Sequence, residues 1–107
     1  EVQVFVLGLT TVDEHMMPFA GCLWYSNSQI AATEAVMAEQ CREADVPFLP
    51  MHQEMQEEPD WLTWMEPDGI HLNADGHRWL DQLLDQWAPL REWAGLAPLN
   101  TSTTISM

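Results

Sequence analysis

The residues best suited to chemistry stand together in the segment Asp68-Gly69-Ile70-His71. An aspartate three residues before a histidine, on a turn that leads into a helix, can fold its carboxylate back onto the imidazole. The carboxylate then holds one ring N–H and stabilises the imidazolium that forms when the other nitrogen takes a proton. The spacing predicts a general base, His71, oriented by Asp68, which needs a hydroxyl nucleophile to act on.

A metal site is the first alternative for the histidines. The chain has four of them, His15, His52, His71 and His77, beside 17 acidic residues. Neither H-x-x-x-H nor H-E-x-x-H occurs, and His71 and His77 are six positions apart, so the spacing of known zinc sites is missing. We predict no metal site and no other cofactor.

Two apolar segments predict strands of a buried parallel sheet. Residues 2–9, VQVFVLGL, carry apolar side chains on both faces of an extended chain, which is typical of a central strand covered on both sides. Residues 46–51, VPFLPM, predict a second short strand. Between them, the serines at 26 and 28 offer an N-cap, and an apolar stripe predicts a helix that ends near Asp45. The members of this stripe are Ile30, Met37, Cys41 and Ala44.

The residues around Asp68 predict short elements. Residues 53–58 are acidic and predict a loop or a single turn, and residues 59–65 predict a short helix rich in tryptophan. Pro67-Asp68-Gly69 is a turn signal that stops this helix.

The last main helix is predicted directly after His71. Asn73 can cap it, and Pro89 ends or kinks it, with a further turn near residues 90–96. Its apolar face consists of Trp79, Leu80, Leu83, Leu84 and Trp87.

The string DGIHLNADGHRWL resembles the last sequence block of the SGNH or GDSL hydrolases, commonly D-G-hydrophobe-H-P-N-x-x-G-aromatic. The match keeps Asp68, Gly69, His71, Asn73 and Gly76. It departs at Leu72, where proline is usual, and at His77, which takes the aromatic position. The order of strand, helix, strand and tryptophan-containing turn over residues 2–88 is also similar to that of the family.

This resemblance implies a fold and an activity. The fold is α/β, part of a three-layer α/β/α, flavodoxin-like domain with a parallel sheet. The activity is hydrolysis of carboxylic esters, of esterase, lipase or deacetylase type, through an acyl-enzyme and a Ser-His-Asp triad. His71 would be the general base and later the acid, and Asp68 would orient it.

The family's other blocks are missing from this sequence. Neither the G-D-S block with the nucleophilic serine nor a G-x-N-D block occurs. The serines present are better explained as helix cap or tail residues, and they are Ser26, Ser28, Ser102 and Ser106. We expect an esterase when the domain is complete, and an inactive chain in isolation, because a lost oxyanion donor alone costs about 10²- to 10³-fold in turnover.

The loop over residues 10–25 is a candidate for substrate contact. It has no steady period and follows the carboxyl end of the first strand, the edge at which open α/β sheets bind ligands. We expect Thr10, Thr11, Met17 and Trp24 to line the pocket for a small-molecule, lipid or carbohydrate ester. Met16 and Phe19 of the same loop are further candidates for this pocket. The same side chains could equally belong to the core.

The predicted elements leave the sheet incomplete. Two strands do not form a stable sheet, and a strand apolar on both faces needs neighbours at both edges. We therefore expect residues 1–97 to be the C-terminal half of a hydrolase domain, completed by its N-terminal half or by a second chain, and residues 98–107 to be a disordered tail. The alternative is a non-catalytic acidic α/β fragment that pairs with another chain, in which Asp68 and His71 only pin a turn.

The charge excludes some partners. The chain has 17 acidic residues against 3 arginines and no lysine, for a net charge of −14, so nucleic acid and anionic membrane surfaces would repel it. A run of about 18 apolar residues is missing, so no transmembrane segment is predicted.

Cys22 and Cys41 are expected to be buried free thiols. The residues do not fix the compartment, and the cytoplasm is our default expectation.

Overall fold

The computed structural model describes residues 2–97, so the tail predicted over residues 98–107 lies outside the described residues. The elements of the described part are strands β1 (Val6–Leu7) and β2 (Phe48–Leu49), helices α1 (Asn27–Glu43), α2 (Met51–Gln56), α3 (Ala74–Gln86) and α4 (Ala88–Trp93), and the 3₁₀ turns Glu14–Met16 and Trp61–Trp64. The two strands pair in parallel, with Val6 opposite Phe48 and Leu7 opposite Leu49. A parallel pair joined by a helix is the βαβ unit, and the predicted α/β class is confirmed.

The first strand is shorter and more exposed than its apolar pattern predicts. Only Val6–Leu7 pairs, whereas Val2 is 85% and Val4 51% exposed, so the expectation of a strand buried on both faces over residues 2–9 is wrong here. The reason is that β2 is the only strand beside it in residues 2–97. One neighbour leaves the other edge and part of both faces open.

Helix α1 begins and ends close to the predicted positions. The Oγ of Ser26 accepts the backbone N–H of Gln29 at 3.2 Å and so caps the helix. Ile30, Met37 and Cys41 on its inner face are all partly buried. The one buried residue of the helix is Glu34, which lies in the middle of this apolar stripe.

Helix α2 occupies residues predicted as the end of a strand followed by an acidic loop or single turn. It runs from Met51 to Gln56, and it buries Met51, His52 and Met55. The prediction was wrong because the first N–H groups of α2 donate to the carboxylate of Glu34, on another helix. No pattern local to residues 46–58 contains that contact.

The C-terminal elements follow the sequence signals closely. The Oδ1 of Asn73 accepts the N–H of Gly76 at 2.9 Å and caps α3, and α4 begins at Ala88 with Pro89 in its first turn. The apolar face of α3 covers a cluster whose buried members are Met55, Met65 and Leu72, with Trp61, Trp64, Trp79 and Leu80 packed against them. This cluster lies directly beneath the turn that carries Asp68 and His71.

The two cysteines are free, and Cys22 is exposed. The expectation of buried thiols is wrong for Cys22, because it lies in a tight hairpin turn closed by the Phe19–Leu23 bridge, with nothing packed over it. Cys41 is partly buried on α1.

Candidate active site

Asp68 and His71 are joined by a hydrogen bond of 2.5 Å between Oδ2 and Nδ1. The other carboxylate oxygen, Oδ1, accepts the backbone N–H of Ile70 at 2.9 Å and that of His71 at 3.1 Å. One oxygen therefore folds the turn by bonding to the backbone two and three residues on, as aspartate commonly does. The second oxygen is left to hold the imidazole, so the structure brings together the two residues predicted to be catalytic.

These contacts stabilise the ionised form of the aspartate. The hydrogen bond from His71, and then the N–H groups of Ile70 and His71, lower the pKa of Asp68 from its ordinary value of 3.8 to about 2. The carboxylate is therefore ionised at neutral pH, and an ionised acceptor beside Nδ1 keeps a proton on that nitrogen. The other nitrogen, Nε2, is then the atom that can accept a proton. The side chain of His71 is 66% exposed, so a hydroxyl on another segment can reach it.

Gly69 gives the turn its shape. Its φ of +82° lies in the left-handed region that favours glycine. A Cβ at this position would come within 2.8 Å of the Cβ of Met16 and 3.1 Å of the carbonyl oxygen of Asp13. The carbonyl of Gly69 in turn accepts the N–H of Asp13 at 2.9 Å. The glycine after Asp68 is thus required by the close approach of the turn to residues 13–16.

The ends of the turn are also held. The N–H of Glu66 donates to the carbonyl of His71 at 2.8 Å, and Met65 and Leu72 form an antiparallel bridge just outside it. Met65 and Leu72 are both buried, so the exposed His71 is carried by a turn with a buried base.

Asn73 and Gly76, which carry part of the family resemblance, anchor α3 beneath the turn. The Nδ2 of Asn73 donates to the carbonyl of Thr63 at 2.8 Å, while its backbone N–H donates to that of Trp64 at 2.8 Å. A Cβ at Gly76 would lie 2.6 Å from the carbonyl oxygen of Trp64, so only glycine permits this approach. Both residues fix the start of α3 against the tryptophan-rich 3₁₀ turn.

A second aspartate–histidine pair is much looser. The Nδ1 of His15 lies 3.4 Å from the Oδ1 of Asp13, which already accepts the backbone N–H of His15 at 3.1 Å.

The imidazoles of the two remaining histidines have no carboxylate partner among the described residues. His77 contacts the carbonyl of Asn73, and His52 is buried with Nδ1 unpaired. In residues 2–97 no three His, Cys, Asp or Glu side chains gather closely enough to hold a metal ion.

The structure separates the two threonines predicted to contact substrate. The Oγ1 of Thr10 lies 3.5 Å from the carbonyl of Ile70, which places Thr10 beside the turn that carries Asp68 and His71. Thr11 is fully buried, and its hydroxyl donates to the Sδ of Met55 at 3.2 Å. The structure therefore brings Thr10 to the site and places Thr11 in the core. Contact of either with substrate stays a prediction.

The other two predicted pocket residues lie further along the same loop. Met17 is partly buried, and Trp24 is 70% exposed. Between them, the ring of Phe19 meets the ring of His71 edge to face, with centroids 6.4 Å apart. Phe19, a further candidate pocket residue of this loop, thus has a ring contact to the imidazole. Its contact with substrate stays a prediction.

Glu34 is a residue that the sequence analysis missed. Its Oε2 accepts the N–H of Leu9 at 3.0 Å and of His52 at 2.7 Å, and its Oε1 accepts that of Gln53 at 3.1 Å. A Cβ on Gly8 would fall 2.1 Å from the same carboxylate, so a larger residue there would push Glu34 away from these N–H groups. The available signal was an acidic residue in the centre of an apolar helical stripe.

Comparison with known proteins gives one match. A family model described as the GDSL-like Lipase/Acylhydrolase family matches residues 2–79. No curated protein and no solved structure matches the chain. The matched range contains β1, α1, β2 and the Asp68–His71 turn, and it confirms the resemblance drawn from the sequence.

Within residues 2–97, no helix has both the length and the apolar character needed to cross a bilayer.

Proposed function

The chain belongs to the GDSL-like lipase/acylhydrolase family, and we propose that it supplies the aspartate and the histidine of a serine-dependent carboxylic ester hydrolase. The observation that carries the proposal is the 2.5 Å hydrogen bond between Asp68 Oδ2 and His71 Nδ1. The looser Asp13–His15 pair, at 3.4 Å, is not proposed for this role.

The proposed reaction begins with proton transfer to His71. Its Nε2 takes the proton of a serine hydroxyl as the serine oxygen attacks the ester carbonyl, and Asp68 stabilises the imidazolium that forms. The same proton then goes to the departing alcohol, which leaves an acyl-serine. A water molecule, deprotonated by His71, releases the acid and restores the serine. General-base catalysis of this kind contributes about 10²- to 10⁴-fold.

We propose that the nucleophile comes from polypeptide outside these 107 residues. The sequence lacks G-D-S and G-x-N-D, and the hydroxyl of Ser26 is engaged in capping α1. The serine and the oxyanion donors would then lie in the N-terminal half of the domain, with residues 1–97 as its C-terminal half, or in a second chain. The exposure of Val2 and Val4 beside a two-stranded sheet supports a missing neighbour.

The substrate is proposed to be a small-molecule, lipid or carbohydrate ester. We propose that its acyl or alcohol group meets the loop that holds Thr10, Thr11, Met17 and Trp24. The contact of Thr10 with Ile70 supports this, because it places the beginning of the loop beside the turn. The net charge of −14 supports the absence of a nucleic acid partner.

The test is labelling of the complete, folded protein with a fluorophosphonate, followed by mass spectrometry of the modified peptide. We expect one modified serine outside residues 1–107, and at least about 100-fold slower labelling in His71→Ala, because the general base is lost. If the folded protein is not labelled, the pair only pins a turn and the chain serves to pair with another polypeptide.

A further inference from the structure

The turn that carries Asp68 and His71 rests on a short stretch of chain after β1, residues 9–13, called here the support segment. The backbone N–H of Asp13 donates to the carbonyl of Gly69 at 2.9 Å. The hydroxyl of Thr10 lies 3.5 Å from the carbonyl of Ile70. The two acceptors, Gly69 and Ile70, lie between Asp68 and His71 in the sequence. A shift of the support segment therefore moves the peptide units that position the side chains of the 2.5 Å hydrogen bond.

One side chain holds the end of the support segment. The Oδ1 of Asn27 accepts the backbone N–H of Val12 at 2.8 Å, and its Nδ2 donates to the carbonyl of Val12 at 2.8 Å. The backbone N–H of Asn27 also donates to the carboxylate of Glu14 at 2.8 Å, just beyond the segment. Val12 is buried, so these two hydrogen bonds replace water for both polar groups of one residue.

The two hydrogen bonds to the backbone of Val12 need an asparagine side chain. They require one acceptor and one donor on a short, planar group, and the amide of asparagine supplies both. An aspartate at this position would lose the donor and place a second carboxylate near Glu14. Asn27 is also the first residue of α1, so the amide is held at a fixed place on the helix.

We infer that Asn27 is a positioning residue for the Asp68–His71 pair and acts through Val12, Asp13 and Gly69. The amide of Asn27 binds the backbone of Val12 and makes no hydrogen bond to the imidazole. It fixes the support segment at the place where the N–H of Asp13 meets the carbonyl of Gly69. The inference rests on the proposed function, since it assigns the residue to the same site.

The first test observes the imidazole directly in the complete protein. Long-range ¹H–¹⁵N spectra of the histidine rings show which nitrogen carries the proton, and we expect Nδ1–H for neutral His71. In Asn27→Ala the Nδ1–H population should fall, because the hydrogen bond to Asp68 is no longer held. Ser28→Ala is the matched control, since this neighbour is exposed and contacts only the hydroxyl of Ser26. A folded Asn27→Ala protein with an unchanged His71 tautomer would overturn the inference.

The second test separates positioning from simple stability. With a p-nitrophenyl ester, at a temperature where each variant is folded, we expect kcat of Asn27→Ala to fall by about 10- to 100-fold with KM nearly unchanged, since small misplacements of a catalytic group carry costs of this order. Asn27→Gln keeps the amide but displaces it by one methylene, so its kcat should lie between those of the parent and Asn27→Ala. If the alanine variant does not fold, Asn27→Gln provides the test. An unchanged kcat in both variants rejects the inference.

His71→Ala, measured beside them, distinguishes the two possible failures. If His71→Ala is as active as the parent, the proposed function itself fails. If His71→Ala is inactive while the Asn27 variants keep full kcat, only the positioning role fails.

Discussion

At the scale of the residue, the two carboxylate oxygens of Asp68 have separate tasks. One oxygen binds the N–H groups of Ile70 and His71 and shapes the backbone, and the other holds the imidazole. Because the same carboxylate does both, the orientation of the ring is set by the turn itself. Its ionisation is therefore a direct measure of whether the pair is formed.

The pKa of Asp68 is the first quantity to measure. It is lowered from 3.8 to about 2, so the stabilising contribution of this carboxylate is complete above pH 3.8 and is lost as the pH falls through 2. In a ¹³C titration of the carboxyl groups we expect a midpoint near 2. His71→Ala removes the largest cause of the lowering, so its midpoint should rise. A midpoint at the ordinary value in the parent protein would mean that the pair is not formed in solution.

Two glycines allow the strain in the turn to be measured. Gly69 and Gly95 both have a positive φ, but a Cβ has no atom within 4 Å at Gly95 and meets Met16 at 2.8 Å at Gly69. Gly95→Ala should cost only the left-handed backbone term, about 1–2 kcal/mol. Gly69→Ala should cost about 1–3 kcal/mol more, for the overpacking. Chemical denaturation of both variants provides the comparison, and equal losses would show that the turn does not pack against Met16.

At the scale of the element, α1 organises both the sheet end and the turn. Glu34 and Asn27 are seven residues apart, two helical turns, so both reach residues 8–13 from one side of the helix. Glu34 holds the end of β1 and the start of α2, while Asn27 holds Val12. The helix thus contributes polar anchors as well as the predicted apolar stripe.

Glu34 should be far more important for stability than other acids on the same helix. Glu34→Ala leaves three backbone N–H groups without their charged acceptor, and we expect a loss of about 3 kcal/mol or more in the free energy of unfolding. Glu39 is the matched control, because it is an exposed glutamate of α1 that pairs only with Arg42 on the surface. Glu39→Ala should change little. Similar losses for both variants in urea titrations would contradict the structure around Glu34.

Elements with local signals could be predicted from the sequence, and elements fixed by distant contacts could not. Asn73 marked the start of α3, and Pro89 marked the break between α3 and α4, because capping and the loss of an N–H are properties of the residues themselves. The Asp68–His71 contact was predictable for the same reason. The length of β1, the existence of α2 and the roles of Glu34 and Asn27 depend on partners far along the chain. The substrate contacts of Thr10, Thr11, Met17 and Trp24 stay predictions.

At the scale of the whole molecule, the charge is very unbalanced. Seventeen acidic residues against three arginines give a net charge of −14, and such an excess destabilises a folded chain by self-repulsion. Raising the ionic strength from 0.01 M to 0.15 M shortens the Debye length from about 30 Å to about 8 Å.

We therefore expect the midpoint of thermal unfolding to rise over this range of NaCl, and KCl should act equally. An uncharged osmolyte at the same osmolarity is the control, since it does not screen charge. A midpoint that is unchanged or lower in salt would show that the acidic side chains do not repel one another significantly.

The most direct test of the central claim is ester hydrolysis by the complete protein with two histidine substitutions. His71→Ala removes the proposed base, and His77→Ala removes an exposed histidine six residues away that contacts only the backbone carbonyl of Asn73. We predict that kcat/KM for a p-nitrophenyl ester falls by about 10²- to 10⁴-fold in His71→Ala and changes little in His77→Ala. A folded His71→Ala protein that hydrolyses the ester as fast as the parent would contradict the account.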